Sequence, residues 1–157
     1  VDAADRDGTP VEDLLAPFLG GEVFEPGFSS HGTLRLRLVS RGQESGLRYG
    51  PFLTVRTRVW RVDTPSGPLV AGMDSVRFIQ QAVQCLAGEH FSSVRVKYVS
   101  LDTTFVFGTF SLRVFPDSFH NPNEEGPDWT WSLKDGEAIY AGPAGRWSLR
   151  KVGRPDG

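Results

Sequence analysis

"DWTWSLKDGEAIYAG" (Asp128 to Gly142) and "RVWRVDTPSGPLVAG" (Arg58 to Gly72) run through one order of events: tryptophan, a polar turn, an apolar pair, then Ala-Gly. Self-similarity of this kind is weighed before any local pattern, because a repeated unit decides the whole fold. Working outward, "FLGGEVF" (Phe18 to Phe24) aligns with "CLAGEHF" (Cys85 to Phe91). "GPFLTV" (Gly50 to Val55) aligns with "GTFSLRV" (Gly108 to Val114) after one inserted residue. The blocks keep their order while their spacing drifts, as insertions confined to loops would produce. Trp60 takes Trp131 as its mate in this alignment.

The blocks carry consistent local signals. "DSVRFIQQAVQCLAGEH" places Val76, Ile79, Val83 and Leu86 at helical spacing, with Asp74 as the expected cap and Gly88 at the stop. Its counterpart "TPVEDLLAPFLGG" has Thr9 as cap, Pro10 at the first helical position, acids in the first turn, and Pro17 to shorten or kink it. Each helix is followed by strand pattern. "TLRLRLV" alternates Leu34, Leu36 and Leu38 with Arg35 and Arg37, and "FLTVRTRVWRV" continues as one strand with Arg56, Arg58 and Trp60 on a common face. "SVRVKYV", "TTFVF", "FSLRVF", "WTWSL", "AIYAG" and "RWSLRK" follow, with Asp135-Gly136 as a hairpin turn. The expected fold is α+β: one domain over residues 1–157, built of two tandem helix-plus-antiparallel-sheet repeats, approximately 9–72 and 74–152, related by a pseudo-twofold axis.

Composition narrows the function classes. The chain has 157 residues, 39% hydrophobic, with a net charge of -2, long enough to bury roughly 70% of its unfolded surface. That balance supplies no global attraction to nucleic acid or anionic lipid. Charge is nevertheless patched: His31 to Val62 carries seven arginines against Glu44, and Asp117 to Glu137 carries six acids against Lys134. No apolar run approaches the roughly 20 residues of a spanning helix. Cys85 is the single cysteine, which excludes an intramolecular disulfide and makes a reducing cytoplasm the default location. The chain starts at Val1, which leaves a trimmed leader open.

No catalytic or metal pattern stands out. His31, His90 and His120 have no second ligand at helical or hairpin spacing, so no metal and no cofactor are expected. A Cys85, His90, Asp102 arrangement has the residue types of nucleophilic catalysis, but Cys85 sits near a helix C-terminus, where the dipole disfavours a thiolate. Trp60 and Trp131, matched in the alignment, are expected in the core. Trp129 and Trp147 lack mates and are expected at a contact surface, since indole joins a large area to a donor. The acidic loop Pro116 to Asp128, with Asp117, Glu124, Glu125 and Asp128, offers itself to a basic partner. Arg35, Arg37, Arg56 and Arg58 are expected side by side on two outward strand faces beside Trp60, a basic face for nucleic acid or simply a solvated one.

"LRVFP" with the acidic loop, "DWTWSL" and "GPAGRW", within Phe110 to Leu149, resembles the C-terminal part of small bacterial α+β proteins carried beside toxin genes, several of them immunity proteins. The resemblance implies no catalytic residue. The expectation is therefore a non-catalytic binding protein, of immunity type, contacting another protein through Asp117, Glu124, Glu125, Asp128, Trp129 and Trp147. The alternatives are a small-ligand binder or enzyme with its pocket between the halves, and nucleic-acid binding through the arginine face.

Overall fold

The computed structural model describes residues 9–39, 51–98, 100–115, 126–133, 136–142 and 146–151. Its chain begins with a one-turn helix α1 (Val11–Leu15), whose Val11 and Leu15 are buried. Pro10 stands at its N-cap with extended backbone, one position later than the expected Thr9, because a ring with fixed φ and no N–H suits a helix entry. Pro17 falls in the 3-10 turn Ala16–Phe18 that closes the helix. Five strands follow: β1 (Glu22–Phe28), β2 (Leu34–Val39), β3 (Phe52–Val55), β4 (Trp60–Thr64) and β5 (Gly67–Ala71). Helix α2 (Val76–Ala82) runs on into a 3-10 turn at Val83–Leu86. Ser75 caps α2, its hydroxyl accepting from Phe78 N at 3.4 Å. Asp74 instead accepts from Ala71 N at 2.8 Å. Ile79, Val83 and Leu86 are buried at the anticipated spacing. The remaining strands are β6 (Phe91–Val96), β7 (Thr103–Phe107), β8 (Phe110–Val114), β9 (Trp129–Ser132), β10 (Glu137–Ala141) and β11 (Trp147–Lys151).

All pairings are antiparallel, in two sheets: six strands in the order β1-β2-β3-β9-β10-β11 and five in the order β5-β4-β8-β7-β6. The architecture is α+β, mostly strand, with two short helices. The six-stranded sheet joins two three-strand meanders, β1-β2-β3 and β9-β10-β11, and the five-stranded sheet joins the hairpin β4-β5 to the meander β6-β7-β8, so each sheet draws on both parts of the chain.

"FLTVRTRVWRV" therefore does not form one strand. β3 ends at Val55 in one sheet and β4 begins at Trp60 in the other. Arg56 to Val59 is the crossover, which separates Arg56 and Arg58 from Arg35 and Arg37. Trp60 pairs with Val114 across β4 and β8, and Trp129 pairs with Val55 across β9 and β3.

The sheets face each other across an aromatic core. Trp131 packs on Phe91 and Phe105 at 5.1 and 5.8 Å between centroids, and on Phe18 at 5.9 Å. Trp129 meets Phe105 edge-on at 5.2 Å, and Trp60 meets Phe28 at 6.0 Å. Edge-to-face contacts of this kind add about 0.5–1.5 kcal/mol to what area burial supplies. The starts of β1 and β6 cross at an isolated antiparallel bridge between Glu22 and His90. Around it Gly20 N donates to Phe91 O, Gly88 N to Val23 O, Val23 N to Glu89 O and Phe91 N to Gly21 O, all within 2.7–2.9 Å. Each helix then ties down the outer strand of the other part. Gln80 Nε2 donates to Phe28 O at 3.0 Å and Gln84 Nε2 to Pro26 O at 2.9 Å, while Glu12 Oε1 accepts from Val96 N at 3.0 Å. Two sheet edges, otherwise rows of unpaired backbone groups, are covered in this way.

Candidate interaction surfaces

Trp129 is 1% exposed and Asp128 6%, so neither presents a contact surface. Asp128 serves the fold: its carbonyl accepts from Arg56 N and Thr57 N at 2.8 and 3.2 Å, and its own N–H donates to Ala141 O at 2.8 Å. A Cβ on Gly142 would lie 1.9 Å from Asp128 Oδ2, so that side chain packs where Gly142 leaves room. Asp117, Glu124 and Glu125 lie outside the described residues. Trp147 is half-buried, turned toward the core on β11 beside Leu149. Trp60 and Trp131 are buried as anticipated.

Of the four arginines singled out by sequence, two remain together. Arg35 and Arg37 stand on the outer face of β2, where the alternation with buried Leu34, Leu36 and Leu38 puts them. Arg56 and Arg58 are exposed in the crossover. Arg58 Nε donates to Gly72 O at 2.9 Å, which occupies it in tying the crossover to the end of β5.

What joins Arg35 and Arg37 on that face is aromatic. The register sets Arg35 opposite Thr54, Thr54 opposite Thr130, Thr130 opposite Tyr140, and Tyr140 opposite Ser148. The neighbouring row sets Arg37 between Phe24 and Phe52. The Arg35 guanidinium lies 5.3 Å from the Phe52 ring centroid, and that of Arg150 lies 5.0 Å from Tyr140. Arg150 Nε also donates to Ser148 Oγ at 3.0 Å, and Arg37 reaches Glu25 at 3.8 Å. Phe24 is 44% exposed and Phe52 and Tyr140 are half-buried, while the short Thr54 and Ala138 are buried on the same face. Phe24, Phe52, Tyr140 and Arg150 were not legible as a group, because they come from four strands whose adjacency no local pattern encodes.

The space between the sheets, where a ligand pocket was one expectation, is filled by Trp129, Trp131, Phe91, Phe105 and Phe107, all fully buried. Among the described residues no group of three or more His, Cys, Asp or Glu is arranged to hold a metal. Cys85 is half-buried in the turn after α2, and burial, with the negative charge of Glu89, pushes its thiol pKa up, opposite to what a nucleophile requires. Among the described residues no helix is long and apolar enough to cross a membrane. In comparison with known proteins, no family model, curated protein or solved structure matches the chain.

Proposed function

We propose that this chain is a non-catalytic binding protein whose contact surface is the outer face of the six-stranded sheet. The observation that carries the reading is the pairing of half-exposed rings with guanidinium groups there: Phe52 under Arg35 and Tyr140 under Arg150. Tyrosine and arginine are the side chains most enriched among residues that dominate binding energy. Rings already held in place lose little freedom when a partner docks. The filled space between the sheets supports a surface over a pocket. An immunity-type inhibitor of a toxin is the form that the C-terminal resemblance gives to this reading, and Glu124 and Glu125 would then add an acidic segment to the contact.

The experiment is a pull-down from the native host with the full chain, followed by the same assay with Tyr140→Ala and Arg35→Glu. Both variants are expected to weaken the recovered complex at least tenfold. An undiminished complex in both would remove this face from the contact. A second reading, single-stranded nucleic acid, is favoured by the interleaving of Arg35 and Arg37 with Phe24, Phe52 and Tyr140, since bases stack on rings while arginines hold phosphates. Affinity for an oligonucleotide that falls steeply with salt would move the assignment there.

The scaffold of this surface is proposed to be a duplication, with halves of approximately 9–72 and 74–152. Glu22 and His90 stand 68 positions apart (90 − 22), and exchanging each residue for the one 68 positions away converts the four hydrogen bonds around their bridge into one another. The same exchange carries the Glu12 to Val96 tie onto the Gln80 to Phe28 tie. Expression of the two halves as separate chains, with recovery of a folded complex only when both are present, is the expected result; independent folding of either half would contradict the shared sheets.

A further inference from the structure

The five-stranded sheet has an outer face of different chemistry. Arg61 stands directly opposite Arg113, Arg113 opposite Thr104, and Thr104 opposite Arg95. Three arginines thus form a row across β4, β8, β7 and β6. Like charges facing each other across a ladder weaken a sheet, so the row is not explained by the stability of the fold. Among the described residues the acid that pairs with this row is Asp63. Arg61 Nε lies 3.0 Å from Asp63 Oδ1 and donates to Oδ2 at 3.1 Å, and Arg113 Nε lies 3.9 Å from Oδ2. Both contacts are made at Nε, which draws the two side chains to one carboxylate. The Phe115 ring, 5.9 Å from the Arg61 guanidinium, restrains that side chain further. The side chains of Arg61 and Arg113 are 41% and 46% exposed. Arg95 is exposed, and no carboxylate among the described residues pairs with it.

We infer that this row is a second docking surface, for an extended acidic segment of a partner protein. Carboxylates of the segment pair with the part-exposed guanidinium groups of Arg61 and Arg113, whose planar fork permits two parallel hydrogen bonds, and a further acid reaches Arg95. Strands lie about 4.8 Å apart, so Arg113 and Arg95, two strands apart, are about 10 Å apart at the backbone, within reach of neighbouring acids on one extended chain. Charge complementarity selects an acidic occupant. A peptide is favoured over nucleic acid because the row offers no open ring for a base to stack on, the Phe115 ring being covered by Arg61.

The test is a fluorescence-anisotropy titration of the full chain against a labelled oligoglutamate peptide. The expected result is binding that weakens with salt, with Kd raised about tenfold by Arg95→Glu, the scale of one lost charge-assisted pair, and unchanged by Arg77→Glu at the exposed face of α2. A melting curve of Arg95→Glu checks that it folds; Arg113→Gln is the second variant, with the same expected loss. Absence of binding at low salt, or equal loss in the Arg77 and Arg95 variants, would overturn the proposal. So would an oligonucleotide of matched charge that displaces the peptide and depends on the same arginines, or sedimentation showing that Arg95→Glu abolishes a dimer, which would make a second copy the occupant.

Discussion

Glu12 and Tyr98 hold the first helix to the far end of β6: the Glu12 carboxylate accepts both the Tyr98 hydroxyl and the Val96 amide, and the same hydroxyl accepts from Val11 N at 2.9 Å. Four groups, from two segments more than eighty residues apart in sequence, are joined by these bonds. Without them, α1 at five residues is far too short to persist on helix propensity.

This cluster makes alkaline stability diagnostic. Burial, and then the Glu12 carboxylate, push the Tyr98 hydroxyl pKa from 10.0 up to about 12. The folded state keeps the proton that the unfolded state gives up near pH 10, so the contribution is complete below that pH and is lost between about 10 and 12. Urea midpoints measured across this window are expected to fall with rising pH. Tyr98→Phe is expected to cost about 0.5–1.5 kcal/mol at neutral pH and to flatten that part of the fall.

The core tryptophans separate volume from polarity. Trp131 is fully buried among Phe18, Phe91 and Phe105, so Trp131→Ala is expected to cost about 3–5 kcal/mol in chemical denaturation. Its indole N–H, like those of Trp60 and Trp129, is buried without a hydrogen-bond partner, and an unmade bond of that kind costs about 1–3 kcal/mol. Trp131→Phe removes the orphan donor together with the volume, so its loss is expected to be about 1 kcal/mol or less.

Gly72 and Gly27 provide a steric contrast. A Cβ on Gly72 would lie 2.2 Å from Arg58 O and 2.7 Å from Trp60 Nε1, whereas one on Gly27 meets nothing within 4 Å. Gly72→Ala is expected to lower stability by about 1–3 kcal/mol, the scale of an overpacked core, by forcing the crossover away from β5. Gly27→Ala should leave the melting temperature nearly unchanged.

Thiol labelling reports on the turn after α2. With its pKa raised by burial and by Glu89, Cys85 should react with iodoacetamide at pH 8 more slowly in the folded chain than in urea. Glu89→Gln should speed the folded reaction, because removing a negative charge favours the thiolate.

Much of the local structure was legible because it follows from short-range pattern. Strict alternation at Leu34, Leu36 and Leu38 marked β2 with its arginines outward, and the spacing of Ile79, Val83 and Leu86 marked the buried stripe of α2 and the turn after it. The same short range explains the failures. Phe52 to Val62 reads as one strand, yet the chain leaves one sheet at Val55 and enters the other at Trp60. The buried positions change parity with it, from Leu53 and Val55 to Trp60 and Val62. Adjacent Val59 and Trp60 carry that phase break in the sequence, but it does not say which sheet the chain joins next. Trp129 lies two residues before Trp131 on one strand and so shares its buried face; the expectation of exposure rests on its lacking a mate in the alignment, and the alternation of "WTWSL" is the better guide.

The sequence by itself determined the elements, their antiparallel habit and the solvent-facing placement of Arg35 and Arg37, all consequences of dihedral preference and of apolar residues recurring at short period. Tertiary structure alone decided which strands became neighbours. Arg61 faces Arg113, and Arg35 shares a face with Tyr140, only because segments some fifty to a hundred residues apart pair in one register. Hydrogen bonds between strands are alike for every sequence, so it is the packing of Trp131, Phe105 and their neighbours that selects among registers, and that selection is a property of the assembled core.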